Sequence, residues 1–236
     1  MLIRVISDVH GNLVALKAVL DDPAGKKADS TICLGDVVGY GSHPGDCINI
    51  IRKVCDEVVA GNHDLGAAGM IGVSHFNPDG RKAIEWTREK ISQEHIEWIN
   101  SLPRQTFYHG ISFSHASLKE PSSWNYILNS TAAVDAILVA GEYISIYGHT
   151  HMPMQWNRFG DCSSKDEGHL PDYSLINCGS VGQPRDGDSR AAYLLLDIEK
   201  QTFQHMRVNY DVHAASTAII EAGLPKNLAK RLFLGK

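Results

Sequence analysis

The chain has 236 residues, 43% of them hydrophobic and 21% charged, which suits one sizeable core in an ordinary globular protein. A formal net charge of −5, with no block of clustered Lys and Arg, argues against stable binding to a nucleic-acid backbone. No apolar run approaches the roughly 20 residues of a membrane helix, MLIRVISDVHG is too polar for a signal peptide, and five cysteines without a CxxC pair suit free thiols, so a cytoplasmic location away from membranes is expected.

LIRVIS, residues 2–7, reads as a buried strand and ends in Asp8-Val9-His10. Asn12 stands where a helix cap belongs, ahead of an apolar stripe of Leu13, Leu16, Val19 and Leu20. Residues 31–34 form a second strand that ends in Gly35-Asp36. Pro44 suits the first turn of a helix with Cys47, Ile48, Ile51 and Val54 or Cys55 inward. Residues 57–60 make a third strand, ending in Gly61-Asn62-His63-Asp64. Strand and helix alternating at this spacing predict parallel pairing with right-handed crossovers, hence an α/β fold.

Residues 66–78 are glycine-rich, and 79–101 read as one helix with Ile84, Ile91, Trp98 and Ile99 buried. Together, 66–102 form a lid-like segment or a loop and helix without that role. Strands are predicted at 111–117, carrying His115, at 143–151, carrying Gly148-His149-Thr150-His151, and at 172–180. Residues 190–199 and 202–210 pair as a hairpin, and 212–233 form a C-terminal helix interrupted by Gly223 and Pro225. With no repeat, low-complexity tract or linker, 1–236 reads as a single domain.

Polar clusters end five of these strands. In an open α/β sheet the carboxyl ends of parallel strands converge on one crevice. Two acids, one amide and several imidazoles are donors for Mn²⁺, Fe²⁺ or Zn²⁺. They exceed the needs of one ion; two ions about 3.5–4 Å apart, sharing a carboxylate, would use them all.

D-x-H, G-D, G-N-H-D, a single H and G-H-x-H, in this order, resemble the motif set of the calcineurin-like metallophosphoesterases. The resemblance runs from Asp8 to His151 and continues through NCGSVGQPRDGDSRAAY, residues 177–193. It implies a four-layer sandwich, two stacked mixed β-sheets flanked by α-helices. It also implies two divalent ions, manganese first, with iron or zinc as alternatives. Asp8, His10 and His151 would hold one ion, Asn62, His115 and His149 the other, and Asp36 would bridge them. A hydroxide between the ions would attack the phosphorus of a small phosphate ester. His63 would give a proton to the leaving oxygen, with Asp64 as its hydrogen-bonding partner.

Arg185 and Arg190, within GSVGQPRDGDSR, are the candidate substrate contacts; a surface turn with solvated charges is the alternative for each. Asn12 is a substrate contact or a cap. The remaining histidines read as surface or structural; His75 is the one to check, since it lies in the 66–78 loop, which has the reach to approach the cleft. In phosphoprotein phosphatases and diadenosine tetraphosphate hydrolases a G-D-x-x-x-R-G stretch supplies a phosphate-binding arginine, and here Tyr40 stands in its place. This points to the small bacterial and archaeal phosphodiesterase branch, acting on phosphodiesters ahead of phosphomonoesters. The rivals are a phosphoprotein or nucleotide phosphatase and a non-catalytic metal-binding scaffold. Oligomeric state is not set by the sequence.

Overall fold

A computed structural model describes residues 1–119, 123–141 and 143–236. Its opening βαβαβ run is β1 (Leu2–Ile6), α1 (Leu13–Asp21), β2 (Ser30–Cys33), α2 (Pro44–Val54) and β3 (Glu57–Val58). These strands pair in parallel, β1 with β2 and β2 with β3, as predicted. The hairpin of β11 (Ala191–Asp197) and β12 (Thr202–Val208) adds antiparallel to β1, and β9 (Glu167–His169) closes the edge. The first sheet therefore runs β3-β2-β1-β11-β12-β9.

The second sheet has the order β4-β5-β6-β10-β7-β8. Its members are β4 (Gln105–Tyr108), β5 (Ile111–Ser114), β6 (Ile144–Tyr147), β7 (Met154–Trp156), β8 (Cys162–Ser163) and β10 (Leu175–Asn177). At its centre β5, β6 and β10 are parallel, while β4, β7 and β8 join antiparallel.

The two sheets meet over a core of Ile3, Val5, Ile32 and Leu34 from one side and Ile111, Phe113, Ile146 and Ile176 from the other. The outer face of the first sheet is covered by Leu16, Val19, Cys47, Ile48, Ile51 and Ile84. The outer face of the second is covered by Ala133, Ala136 and Ile137 of α6 (Ser130–Ala140) on Tyr147, Trp156 and Leu175. Helix, sheet, sheet, helix is the expected four-layer arrangement. The inner and outer apolar faces of both sheets are thus buried against neighbours, which is what stabilises stacked layers. Among the described residues no helix is long and apolar enough to cross a membrane.

Residues 79–101 form two helices rather than one: α4 (Pro78–Lys90) and α5 (Gln93–Ser101). The Ser92 hydroxyl accepts from His95 N at 3.3 Å and starts α5 afresh. Ahead of them a short α3 (Asn62–Ala67) follows β3, and Arg88 ties α4 to it by donating from Nη2 to Gly66 O at 2.6 Å. The C-terminal segment is likewise two helices, α7 (Val212–Glu221) and α8 (Lys226–Leu234), separated at Gly223 and Pro225 as their chemistry dictates.

Candidate metal centre and active site

Each of the five polar clusters sits where a strand has just ended. Asp8 and His10 follow β1, Asp36 follows β2, and Asn62 and His63 open α3 beyond β3. His115 follows β5, and His149 and His151 follow β6. The strands are shorter than the apolar runs suggest because the chain turns sharply at these residues. Nine non-glycine residues among those described have positive φ, and seven of them surround this site: Asp8, His10, Asp36, Tyr40, Trp124, His149 and His151. Left-handed backbone costs a non-glycine residue about 1–2 kcal/mol, so the strain is concentrated where the polar side chains meet.

The turns are tied across the sheets. His10 N donates to Asp36 O at 2.9 Å, and Gly148 N donates to His115 O at 3.0 Å. His149 N donates to Asp8 Oδ2 at 3.0 Å. Glycine is required at Gly148, where a Cβ would overlap Ser7 Oγ and lie 2.7 Å from Asp8 Oδ2.

The side chains form two groups around Asp36. In one, His151 Nε2 lies 3.2 Å from Asp8 Oδ1 and 3.1 Å from His10 Nε2. In the other, His115 Nε2 lies 3.2 Å from Asn62 Oδ1 and 3.1 Å from His149 Nδ1. Asp36 Oδ2 stands between them, 3.7 Å from His10 Nε2 and 3.3 Å from His115 Nε2. All of these residues are buried.

The tautomers follow from the backbone. His10 Nδ1 faces Val38 O at 3.0 Å, His151 Nδ1 faces Gln183 O at 2.6 Å, and His115 Nδ1 faces Leu34 O at 2.8 Å. His149 Nε2 faces Trp124 O at 2.9 Å. A carbonyl only accepts, so each of these nitrogens carries the hydrogen, and the opposite nitrogen of a neutral ring presents a lone pair inward. Lone pairs of His10 and His151 therefore face each other beside Asp8 Oδ1, a buried oxygen with no hydrogen-bond partner. This arrangement is repulsive until a cation enters, and it fits divalent metal ions.

The titration behaviour agrees. Burial, then the neighbouring His63 charge, pushes His10 well below its ordinary value, and burial lowers His151. Burial pushes His149 down to about 3. Burial also opposes charge on His115, but Asp36 and Asp8 outweigh it and raise the ring to about 9. Asp8 and Asp36 stay well below the usual carboxylate range; burial works against this and the surrounding imidazoles overcome it.

His63 stands against the first group, its ring 4.8 Å from that of His10, 4.4 Å from Tyr40 and 4.9 Å from Phe76. Its Nδ1 is buried without a partner, and burial lowers its pKa to about 4. The expected bond from this ring to Asp64 is not made. Asp64 is the third residue of α3, and its carboxyl accepts from Gly61 N at 3.0 Å and Val38 N at 3.1 Å, satisfying donors at the helix start. Burial and Asp36 raise it to about 7.

Arg185 comes to the site: its guanidinium lies 5.8 Å from the Tyr40 ring centre and donates to Gln183 Oε1 at 3.0 Å. Arg190 does not; it is exposed and holds Asp188 through both Nε and Nη2. Asn12 is a cap, its Oδ1 accepting from Ala15 N at 3.1 Å. His75 is exposed, its ring 4.7 Å from Phe76.

Sequence reasoning missed the wall formed by residues 123–129. There Tyr126 stacks on His149 at 4.1 Å, and Trp124 turns its edge to His115 at 5.9 Å. It also missed Asn177, whose buried amide holds the turn carrying both paired histidines. The only signal for Asn177 was its place at a strand end.

A family model described as a calcineurin-like phosphoesterase superfamily domain matches residues 1–201. A protein of Methanocaldococcus jannaschii, named uncharacterized protein MJ0912, is 38% identical over 242 residues, spanning 100% of this chain and 98% of its own. The crystal structure of a metallophosphoesterase from Sphaerobacter thermophilus matches with TM-score 0.89 at 35% identity, over 100% of this chain and 99% of that one. Hypothetical protein PH1004 from Pyrococcus horikoshii shares the fold, with TM-score 0.82 at 19% identity over 100% of this chain and 98% of that one. The clustered donors and these likenesses agree: the chain belongs to the calcineurin-like phosphoesterase superfamily, a family of phosphoric ester hydrolases.

Proposed function

We propose that the chain hydrolyses phosphodiester bonds, with phosphomonoesters as a second substrate class, using two divalent metal ions. Asp8, His10 and His151 would hold one and Asn62, His115 and His149 the other, with Asp36 available to both. The observation that carries this reading is the pair of lone pairs on His10 and His151, directed at each other and at the buried Asp8 Oδ1, an arrangement that a cation satisfies. When bound, such ions neutralise charge on phosphoryl oxygens and acidify a water into a nucleophile near neutral pH. Manganese is the first candidate, since mixed N and O donors suit borderline divalent metals.

The chain's own residues supply the rest. His63 presents an unpartnered ring nitrogen in a buried setting beside His10; an anionic phosphoryl group beside the ring would favour its protonated form against the burial that lowers its pKa, and so charged it is the proton donor to the leaving oxygen. Asp64 acts through the backbone: it braces the turn at Gly61 and Val38 that positions Asn62 and His63. Arg185 reaches Tyr40 from a different loop and brings a guanidinium to where the sequence lacks the phosphatase arginine. It grips the phosphoryl group. The segment 66–102 covers the His63 side through Phe76. Unpaired thiols at all five cysteines suit the cytoplasm.

Manganese-supplemented protein assayed on bis(4-nitrophenyl) phosphate and 4-nitrophenyl phosphate tests this reading. Both esters should be cleaved, the diester with higher kcat/KM. Asp36→Asn should lower kcat/KM by more than about 100-fold and reduce bound manganese. Two bound ions with neither ester cleaved would leave only the scaffold reading.

A further inference from the structure

The residues matched by the family model end at 201, yet the C-terminal helical pair beyond them reaches the candidate site. Leu228, Ala229 and Leu232 of α8 pack with Tyr40 and Ala83. The end of α8 is fastened to the loop after β10, with Gly187 N donating to Gly235 O at 2.9 Å. Arg231 is thereby held half-buried near Tyr40.

Arg231 Nε donates to Lys236 O at 2.6 Å, and its two terminal nitrogens have no hydrogen-bond partner among the described residues. Burial, and after it the positive charge of Arg185, lowers its pKa; Tyr40, Asp79 and Tyr126 are also within electrostatic reach. Asp79 is engaged elsewhere, accepting from Asn227 Nδ2 at 3.0 Å. Arg52, Arg190 and Arg207 pair with carboxylates. Arg185 and Arg231, each half-buried, have no such pair among the described residues, and neither do Arg4 and Arg104.

Two neighbouring guanidiniums without an acid between them repel, most strongly where water is partly excluded. The arrangement is favourable when an anion joins them, and guanidinium forks match the oxygens of a phosphoryl group bidentately. Outward from the reacting centre, the Tyr40 ring lies 4.4 Å from that of His63, and Arg185 lies 5.8 Å from the Tyr40 ring centre. Arg231 adjoins Leu232, which packs with Tyr40. His63 marks the side on which the leaving oxygen departs, so this pair faces the leaving group.

We propose that Arg185 and Arg231 form a subsite for a second phosphoryl group, carried on the leaving-group side of the substrate. This rests on the phosphoesterase reading and narrows it. The substrate class is a phosphate ester whose leaving alcohol bears another phosphate. Arg231, supplied from outside the family domain, is the specificity residue; Arg185 is shared between the two phosphoryl groups.

The test titrates adenosine 3′,5′-bisphosphate and adenosine 5′-monophosphate calorimetrically into the manganese-supplemented wild type, R231A and R231Q. The wild type should prefer the bisphosphate by about tenfold or more, equivalent to ~1.4 kcal/mol. Both variants should lose that preference while binding the monophosphate almost as the wild type does. R231Q keeps much of the stem that packs on α8, and unchanged melting of either variant separates lost recognition from lost folding. Equal wild-type affinities, or a preference that survives in the folded variant, would overturn the proposal. Hydrolysis of bis(4-nitrophenyl) phosphate by the same samples is read separately. Its absence in the wild type counts against the phosphoesterase reading, while the titrations still judge the arginine pair.

Discussion

Replacing Asn177 by alanine tests whether one buried amide holds the turn that carries His149 and His151. Asn177 Nδ2 donates to Gly148 O at 2.6 Å and to Thr150 Oγ1 at 3.0 Å, and its Oδ1 accepts from Gly179 N at 2.8 Å. The residue has no exposed surface, so alanine leaves Gly179 N without a partner inside the protein, while Gly148 O keeps only its bond from Thr150 N. A buried polar group left unsatisfied costs about 1–3 kcal/mol, so this one donor contributes about 2 kcal/mol. In a chain of this size that is a fall in Tm of about 4–8 °C. Because the flanking histidines occupy left-handed backbone, loss of the clamp should also loosen their turn and weaken manganese binding by about 10–100-fold. Thermal unfolding of the metal-free protein and manganese titration measure the two effects. A Tm within about 2 °C of wild type, together with unaltered manganese affinity, would refute the reasoning.

His63→Ala should cut turnover by about 10²–10⁴-fold with manganese content little changed, most severely on esters with poor leaving groups; full rate on such an ester would remove the acid role. Gly39→Ala should cost about 1–2 kcal/mol in chemical denaturation, because its φ is +89° and the added Cβ would overlap His63 Nδ1; turnover should fall with it as the ring is displaced. His205 is buried, donates to Asn177 O at 2.7 Å, and is held below its ordinary 6.5 by burial. As pH falls through 6.5 the unfolded ring takes up a proton that the folded ring refuses, so stability falls toward acid, by at most ~1.4 kcal/mol per pH unit. His205→Gln should flatten that slope in urea titrations between about pH 5 and 7, and an unchanged slope would show that this ring does not set it.

The donor cluster was legible because each polar group directly follows an apolar run, and strands of one parallel set must end on the same side. The turns themselves were not. Nothing in Asp8 or His151 announces left-handed backbone, so the strands were read too long. Strands β7, β8 and β9 have two or three residues each, too few for alternation to register. Helix α6 is apolar on several faces, with Leu138 and Val139 exposed, so its pattern marks no inward side. Adjacency in the chain also misled: His63 and Asp64 are neighbours in α3, and the short helix turns Asp64 back onto the backbone at Gly61. Arg231 was invisible for the opposite reason, since more than 160 residues separate it from His63 in the chain.

Five of the seven proposed metal-holding positions, Asp8, His10, Asp36, His149 and His151, have φ between +49° and +65°, a conformation that glycine adopts without penalty. A descendant released from the need for chemistry would gain firmness simply by letting glycine or asparagine drift into those turns. Aspartate and histidine at all five make the turns less robust than glycine would, a cost that the proposed chemistry explains.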